Sequence, residues 1–233
     1  MNPGARYAIY FAPAADHPLY RFGRAVLGYD CYTREDVAHP HSDRLAPAEW
    51  AALTREPGAY GFHATLKAPF RLLAPFDGAA LVHAFAVFAA ARHAIPVIEP
   101  CVRMLGAFIA VMPRRPSVAL DEFAARCVTE FDCFRAPLTR EERERRVSAG
   151  LSPAEIANLD RWGYPFVFEA FRFHMTLTAP APSARCDCVL ALLQEAFARQ
   201  CGDSAFAIDR VALLRQDHAQ ARFHVVAQAN LNA

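Results

Sequence analysis

The sequence has little of what marks an exported, membrane-bound or polyanion-binding chain. Its 25 Lys+Arg stand against 24 Asp+Glu, a formal net charge of +1, so there is no basic excess to hold a long nucleic acid. The first residues, MNPGARYAIYFAP, carry one Arg ahead of a short apolar stretch and lack the regions of a secretory signal. The longest nearly apolar run, Gly78 to Ala91, is interrupted by His83 and falls short of the roughly 20 residues that span a bilayer; it reads as a buried helix. Seven cysteines, at 31, 101, 127, 133, 186, 188 and 201, form an odd set with no Cys-x-x-Cys pair. Neither a disulfide framework nor a structural zinc site is indicated, and the expected compartment is reducing cytoplasm.

What is present is a chain of 233 residues, 54% hydrophobic and 21% charged, able to bury a sizeable core as one large domain or two small ones. Arg6 to Ala12 alternates as a strand does, and a helical pattern through Leu19, Phe22, Val26 and Leu27 stops at Gly28. A polar connection contains a short helix over Pro47 to Leu53, with proline at its first position. Tyr60 to Leu72 reads as a strand, Asp77 to His93 as a helix, Val97 to Leu105 and Ala107 to Met112 as strands meeting at Gly106, and Ser117 to about Phe131 as a helix. Thr139 with Glu142 and Ser152 with Glu155 have capping-box spacing, which predicts two short surface helices between Pro137 and Trp162. The Arg/Glu run between them reads as a solvated face. A strand at Glu169 to Ala179, a helix at Ala184 to Gln200 and strands at Phe206 to Arg215 and Arg222 to Ala229 complete the pattern.

Two segments resemble each other: Phe62-His-Ala-Thr-Leu-Lys-Ala-Pro69 and Phe173-His-Met-Thr-Leu-Thr-Ala-Pro180 share six of eight residues. Each sits in the same order of strands and helices, which reads as a duplication: a first repeat over about 6–105 and a second over about 107–229, with a helical insertion over about 137–162. Strict alternation puts Phe62, Ala64, Leu66 and Ala68 on one face and Gly61, His63, Thr65 and Lys67 on the other; in the second copy Arg172, His174, Thr176 and Thr178 share the polar face. Two imidazoles facing each other across a cleft suit paired general acid and base chemistry near neutral pH. Of the other histidines, those at 39, 41, 83, 93, 218 and 224 read as structural or surface groups.

His63-Ala-Thr65 and His174-Met-Thr176, each followed by Leu, resemble the paired His-x-Thr motifs of the two-histidine (2H) phosphoesterase superfamily. The longer stretches at 60–70, 134–139, 162–165 and 171–178 resemble one bacterial branch of it, the phosphonate-metabolism proteins found near carbon–phosphorus lyase operons. The resemblance implies an α+β, duplicated two-lobe fold in a single domain, with antiparallel sheets, helices outside and a central groove. It also implies metal-independent hydrolysis of a small cyclic phosphodiester, nucleotide-like or phosphoribosyl, with no cofactor. His63 and His174 would act as base and acid in an order the sequence does not give, and Thr65 and Thr176 would donate to the phosphate oxygens. Lys67 and Arg172 read either as further phosphate contacts or as solvent-facing cations, and Tyr60 either as a stacking platform or as an ordinary tyrosine. Arg135 and Tyr164 flank the insertion, which the resemblance leaves open as a lid. The expected partner is a small phosphate-containing substrate, with no long nucleic acid and no membrane. Two other readings stay open: a catalytically silent module that binds a phosphate ligand or an RNA end, and a metal-dependent hydrolase, for which His63 and His174 have no evident third ligand.

Overall fold

The computed structural model describes residues 4–180, 183–202 and 204–232. Its elements are β1 (Arg6–Phe11), α1 (Pro18–Leu27), β2 (Tyr29–Asp30), β3 (Glu35–Asp36), α2 (Pro47–Gly58), β4 (Ala64–Arg71), α3 (Gly78–Ala90), β5 (Val97–Ile98), β6 (Pro100–Leu105), β7 (Phe108–Pro113) and α4 (Val118–Glu130). There follow α5 (Arg140–Val147), α6 (Pro153–Trp162), β8 (Met175–Thr176), α7 (Ser183–Cys201), β9 (Phe206–Ala207), β10 (Arg210–Gln216) and β11 (His224–Asn230). Helix ends follow local chemistry: His17 caps α1 and Gly28 closes it at φ 71, while Thr139 with Glu142 and Ser152 with Glu155 form the capping boxes of α5 and α6.

Among the described residues seven strands join into one antiparallel sheet in the order β11-β10-β1-β4-β8-β7-β6. The pair β4–β8 lies at its centre, and on either side β1 and then β10 answer β7 and then β6. The outer strands have changed sides. β6 follows β4 in the chain yet pairs with β7, and β10 follows β8 yet pairs with β1. The helices cover one face: α4 packs on β4, α3 on β10 and β11, and α7 on β6 and α1. Contact between α1 and the chain ahead of β4 is close enough to need a glycine, because a Cβ on Gly23 would fall 2.1 Å from the Phe62 ring.

Three departures from the sequence expectations bear on the site. α2 runs on to Gly58; Pro57 in its last turn has no N–H, and the Leu53 carbonyl it leaves free accepts from Ala179 N at 2.6 Å, tying α2 to the chain beyond β8. The strand expected over 169–179 pairs only at Met175–Thr176. Beyond it the ladder is broken, since Leu177 N and Thr178 N both donate to Ile109 O, and the Thr178 hydroxyl accepts from Ile109 N in place of a carbonyl. Third, β4 does not alternate strictly. Against β1, Tyr10 faces Thr65, Ile9 faces Lys67 and Tyr7 faces Phe70, so one extra residue is inserted in each interval. The first bulge turns Lys67 onto the helix-covered face with Ile9.

Candidate active site

Ala64 pairs with Met175, the central residues of the two His-x-Thr segments. Residues opposite each other on antiparallel strands share a face, so this register, carried one residue each way, sets His63 across from Thr176 and Thr65 across from His174. All four side chains therefore belong to the face away from the helices. That face opens into a groove of about 470 Å³ whose lining includes Tyr10, Tyr60, His63, Thr65, Phe108 and Thr176. His174 is not itself among the lining residues; its ring lies 5.6 Å from that of Phe108, which is.

The two imidazoles are held in the same way. His63 Nδ1 lies 2.9 Å from Gly61 O, and His174 Nδ1 lies 2.6 Å from Arg172 O. A carbonyl only accepts, so each Nδ1 carries the hydrogen, and in the neutral ring each Nε2 is left as the basic nitrogen. His63 Nε2 is 3.2 Å from Thr65 Oγ1, and its ring stacks on Tyr10 at 3.7 Å and 17°. Gly61 supplies its carbonyl from a left-handed turn, φ 74, where a Cβ would meet the Cys31 side chain at 2.7 Å. Burial pushes the His63 pKa down to about 4, against the opposing Gly61 bond and with help from the nearby His174 charge. Burial also holds His174 below its ordinary value, against the bond to Arg172 O. Both rings are thus held toward the neutral form at pH 7.

Of the other expected site residues, Tyr60 lines the groove, its ring 6.2 Å from His63 and stacked on Phe223. Lys67 does not reach the groove. Turned by the bulge and 3% exposed, its ammonium donates to Val128 O at 2.8 Å and to Asp132 at 3.0 Å. Burial pushes the Asp132 carboxyl up, but Arg135 and Lys67 outweigh it and hold it below the usual range. Arg172 is also outside the groove lining; its guanidinium folds back to Glu169 O and Phe171 O, and its contribution to the site is the carbonyl that holds His174. Arg135 braces the insertion, donating to Asp132 and to Arg161 O. Tyr164 does line the groove.

Among the lining residues that were not anticipated are Arg6, Tyr10, Glu56, Phe108 and Arg146. Arg6 and Tyr10 stand four apart on β1, on the face that carries Thr65, a signal present in the alternation of that strand. Arg146 lies in the Arg/Glu run and had no signal separating it from its neighbours. Among the described residues no group of three or more His, Cys, Asp or Glu side chains is gathered to hold a metal, and no helix is long and apolar enough to cross a membrane.

Residues 65–224 match the family described as Protein of unknown function (DUF1045). The chain belongs to this family. Thr65, His174 and Thr176 lie within the match, which begins two residues after His63. Among curated proteins, the chain is similar to the Ribose 1,5-bisphosphate phosphokinase PhnN of Janthinobacterium sp. (strain Marseille), 38% identical over 221 residues that make up 94% of this chain and 49% of that protein. The protein of the same name from Laribacter hongkongensis (strain HLHK9) is 35% identical over 174 residues, 75% of this chain and 40% of its own. This DUF1045 chain thus spans about half the length of the curated relatives it matches. Among solved structures, it is similar to E. coli LigT complexed with NADP+, with 10% identity and a TM-score of 0.43 over 99% of this chain and 100% of that one. A structure described as a phosphoesterase gives 13% identity and a TM-score of 0.42 over 99% and 100% of the two chains.

Proposed function

We propose that this chain is a 2H phosphoesterase that hydrolyses a small cyclic phosphodiester in the cytoplasm, through paired general acid and base chemistry and without a metal. The observation that carries the reading is the Ala64–Met175 register, which puts two imidazoles, each bonded through Nδ1 to a carbonyl, and two threonine hydroxyls on one face of the sheet, with His63, Thr65 and Thr176 lining the groove. His63 is the base: with its pKa pushed to about 4 it is neutral at pH 7, and its Nε2 accepts the proton of the attacking water. His174 is the acid. An anionic phosphodiester bound beside it favours the imidazolium, whose Nε2 gives its proton to the departing oxygen. Thr65 and Thr176 donate to the non-bridging oxygens, where charge grows as water adds to phosphorus. Water supplies one proton and the hydroxyl that stays on phosphorus; the opened sugar oxygen takes the proton from His174, and the ester becomes a monoester.

Two features support a phosphorylated sugar as the substrate class. The name of the relatives, Ribose 1,5-bisphosphate phosphokinase, concerns a phosphorylated ribose, and the motif flanks resemble the phosphonate-metabolism branch, for which a 5-phosphoribosyl cyclic phosphate is the candidate. The kinase half of that name is not carried over, because the chain has no Gly-x-x-x-x-Gly-Lys segment to cradle a nucleotide phosphate. Seven cysteines, an odd set with no Cys-x-x-Cys pair, fit a reducing compartment.

The test is a panel of cyclic phosphodiesters (2′,3′-cyclic nucleotides, ADP-ribose cyclic phosphate and phosphoribosyl cyclic phosphate) with product position read by phosphorus NMR. Turnover by the wild type that survives EDTA and falls at least about 1,000-fold in His63→Ala and in His174→Ala, with folding retained, is the expected result. Undiminished turnover in either variant sinks the paired mechanism, and stabilisation by these compounds with no product from any of them points to a binding module.

A further inference from the structure

Several cations flanking the groove are paired with carboxylates, while two that line it are not. Lys67 and Arg135 meet Asp132, Arg71 meets Glu142, Arg140 meets Glu144 and Arg143 meets Asp160. Arg6 and Arg146 both line the groove and neither forms an ion pair among the described residues. Arg6 donates through Nε to Gln216 at 2.7 Å and lies 5.6 Å from the Phe223 ring centre. Arg146 donates to Gly163 O at 2.7 Å and lies 5.7 Å from the Tyr164 ring centre. The carboxylate one turn before Arg146 is Glu142, but both of its oxygens are engaged by Arg71, and one also accepts from Thr139 N.

Two half-buried guanidinium groups face one cavity whose lining holds a single carboxylate, Glu56, ion-paired with neither among the described residues, and this arrangement favours an anion that completes it. Burial and the Arg6 and Arg145 charges push Arg146 down, against Tyr164 and Glu142. A second observation points to the same missing ligand. The Tyr10 hydroxyl is fully buried and makes no hydrogen bond of good geometry among the described residues, with the Thr65 side chain beside it, although Tyr10 lines the groove between the His63 ring it stacks on and the Arg6 end of its own strand. Arg6 and Tyr10 are separated by about 13 Å of strand at the backbone, so the cationic end is several ångströms from the imidazoles after the arginine side chain is allowed its reach.

We propose that Arg6 and Arg146 bind a second phosphate of the substrate, a phosphomonoester on the same sugar as the cyclic ester, and that the Tyr10 hydroxyl donates to the ligand between the two ends. Resting on the reading of the histidine pair given above, this assigns the groove to cyclic phosphodiesters that carry an additional phosphate, in preference to those that do not. Guanidinium is the group suited to this work, since its fork matches two phosphate oxygens.

The deciding comparison is a nucleoside 2′,3′-cyclic phosphate with and without a 5′-phosphate, a pair that differs only in the second phosphate. The wild type is expected to favour the phosphorylated compound by about 100-fold in kcat/KM. Arg6→Met and Arg146→Met each lower that ratio by about 10-fold or more, chiefly through KM, while Arg146→Lys retains part of it. Arg140→Met, which removes a charge from the same helix outside the groove, leaves the ratio intact. A wild-type ratio near one, or a ratio that both methionine variants leave unmoved, overturns the subsite. Should no cyclic phosphodiester be turned over, the reading of the histidine pair fails and binding decides the subsite separately. Calorimetric titration with ribose 5-phosphate and with ribose then shows binding of the phosphate alone, lost in Arg146→Met, or shows no binding and overturns it.

Discussion

His63 shows how one side chain is tuned by its neighbours. Its Nδ1–H is fixed by Gly61 O, one flank is covered by Tyr10, and burial moves its pKa from 6.5 to about 4. That shift is also a stability statement. The unfolded chain takes up a proton at this position near pH 6.5 and the folded chain only near pH 4, so between those values the unfolded state binds more protons and stability falls as the pH drops. The loss attributable to His63 is up to about 3 kcal/mol, present below about pH 4 and absent above about pH 6.5. His63→Gln removes it, so thermal melts of the variant lose less Tm between pH 6.5 and pH 4 than those of the wild type; parallel pH profiles would contradict the buried, neutral imidazole. Residue identity at this scale was legible where the chemistry repeats: a His-x-Thr in two matching segments declares itself. Arg146 was not legible, because nothing in an Arg/Glu run tells which cation lacks a carboxylate once the chain is folded, and Arg6 was legible only as a member of the Tyr10 face of β1.

At the level of the element, β4 explains why a reading by alternation failed at Lys67. A period of two assigns Lys67 to the face of His63 and Thr65, and it holds only in a strand without insertions. The bulge opposite the Tyr10–Ile9 step turns the only lysine of the chain to the helix side, where Val128 O, Asp132 and the α4 end receive it. In the second copy Thr178 occupies the matching place; unlike Lys67 it lines the groove, and its hydroxyl takes the Ile109 N–H. A buried ion pair is asymmetric to mutation, because removing one partner leaves the other charge uncompensated. Lys67→Met leaves Asp132 still paired with Arg135 and is expected to cost about 1 kcal/mol or less while keeping turnover. Asp132→Ala strands the Lys67 ammonium and is expected to cost about 3 kcal/mol in denaturant melts. A severe loss of turnover in a well-folded Lys67→Met would return the lysine to the site.

Across the whole molecule, the exchange of outer strands follows from one turn. The two strands expected to meet at Gly106 do so, Leu105 pairing with Phe108 across a tight turn in which Gly106 takes φ 59. That hairpin straddles the boundary between the repeats, so the last strand of the first repeat is committed to the first strand of the second. With β4 and β8 paired at the centre, the same relation on the other side brings β10 to β1. The hairpin was legible in the sequence; the pairing of β10 with β1 was not, because it joins residues more than 200 positions apart and leaves no local pattern. Each repeat therefore lacks an outer strand that only the other supplies, and each brings one histidine to the face formed at β4–β8. Cutting the chain at Gly106 should give two fragments, 1–106 and 107–233, that show no cooperative unfolding transition separately and regain one when mixed, since mixing restores both exchanged strands and the central pair. Turnover should return with that transition and in neither fragment alone. A cooperative transition in either isolated fragment would show that a repeat closes its own sheet and that the exchange is not what holds the two histidines together.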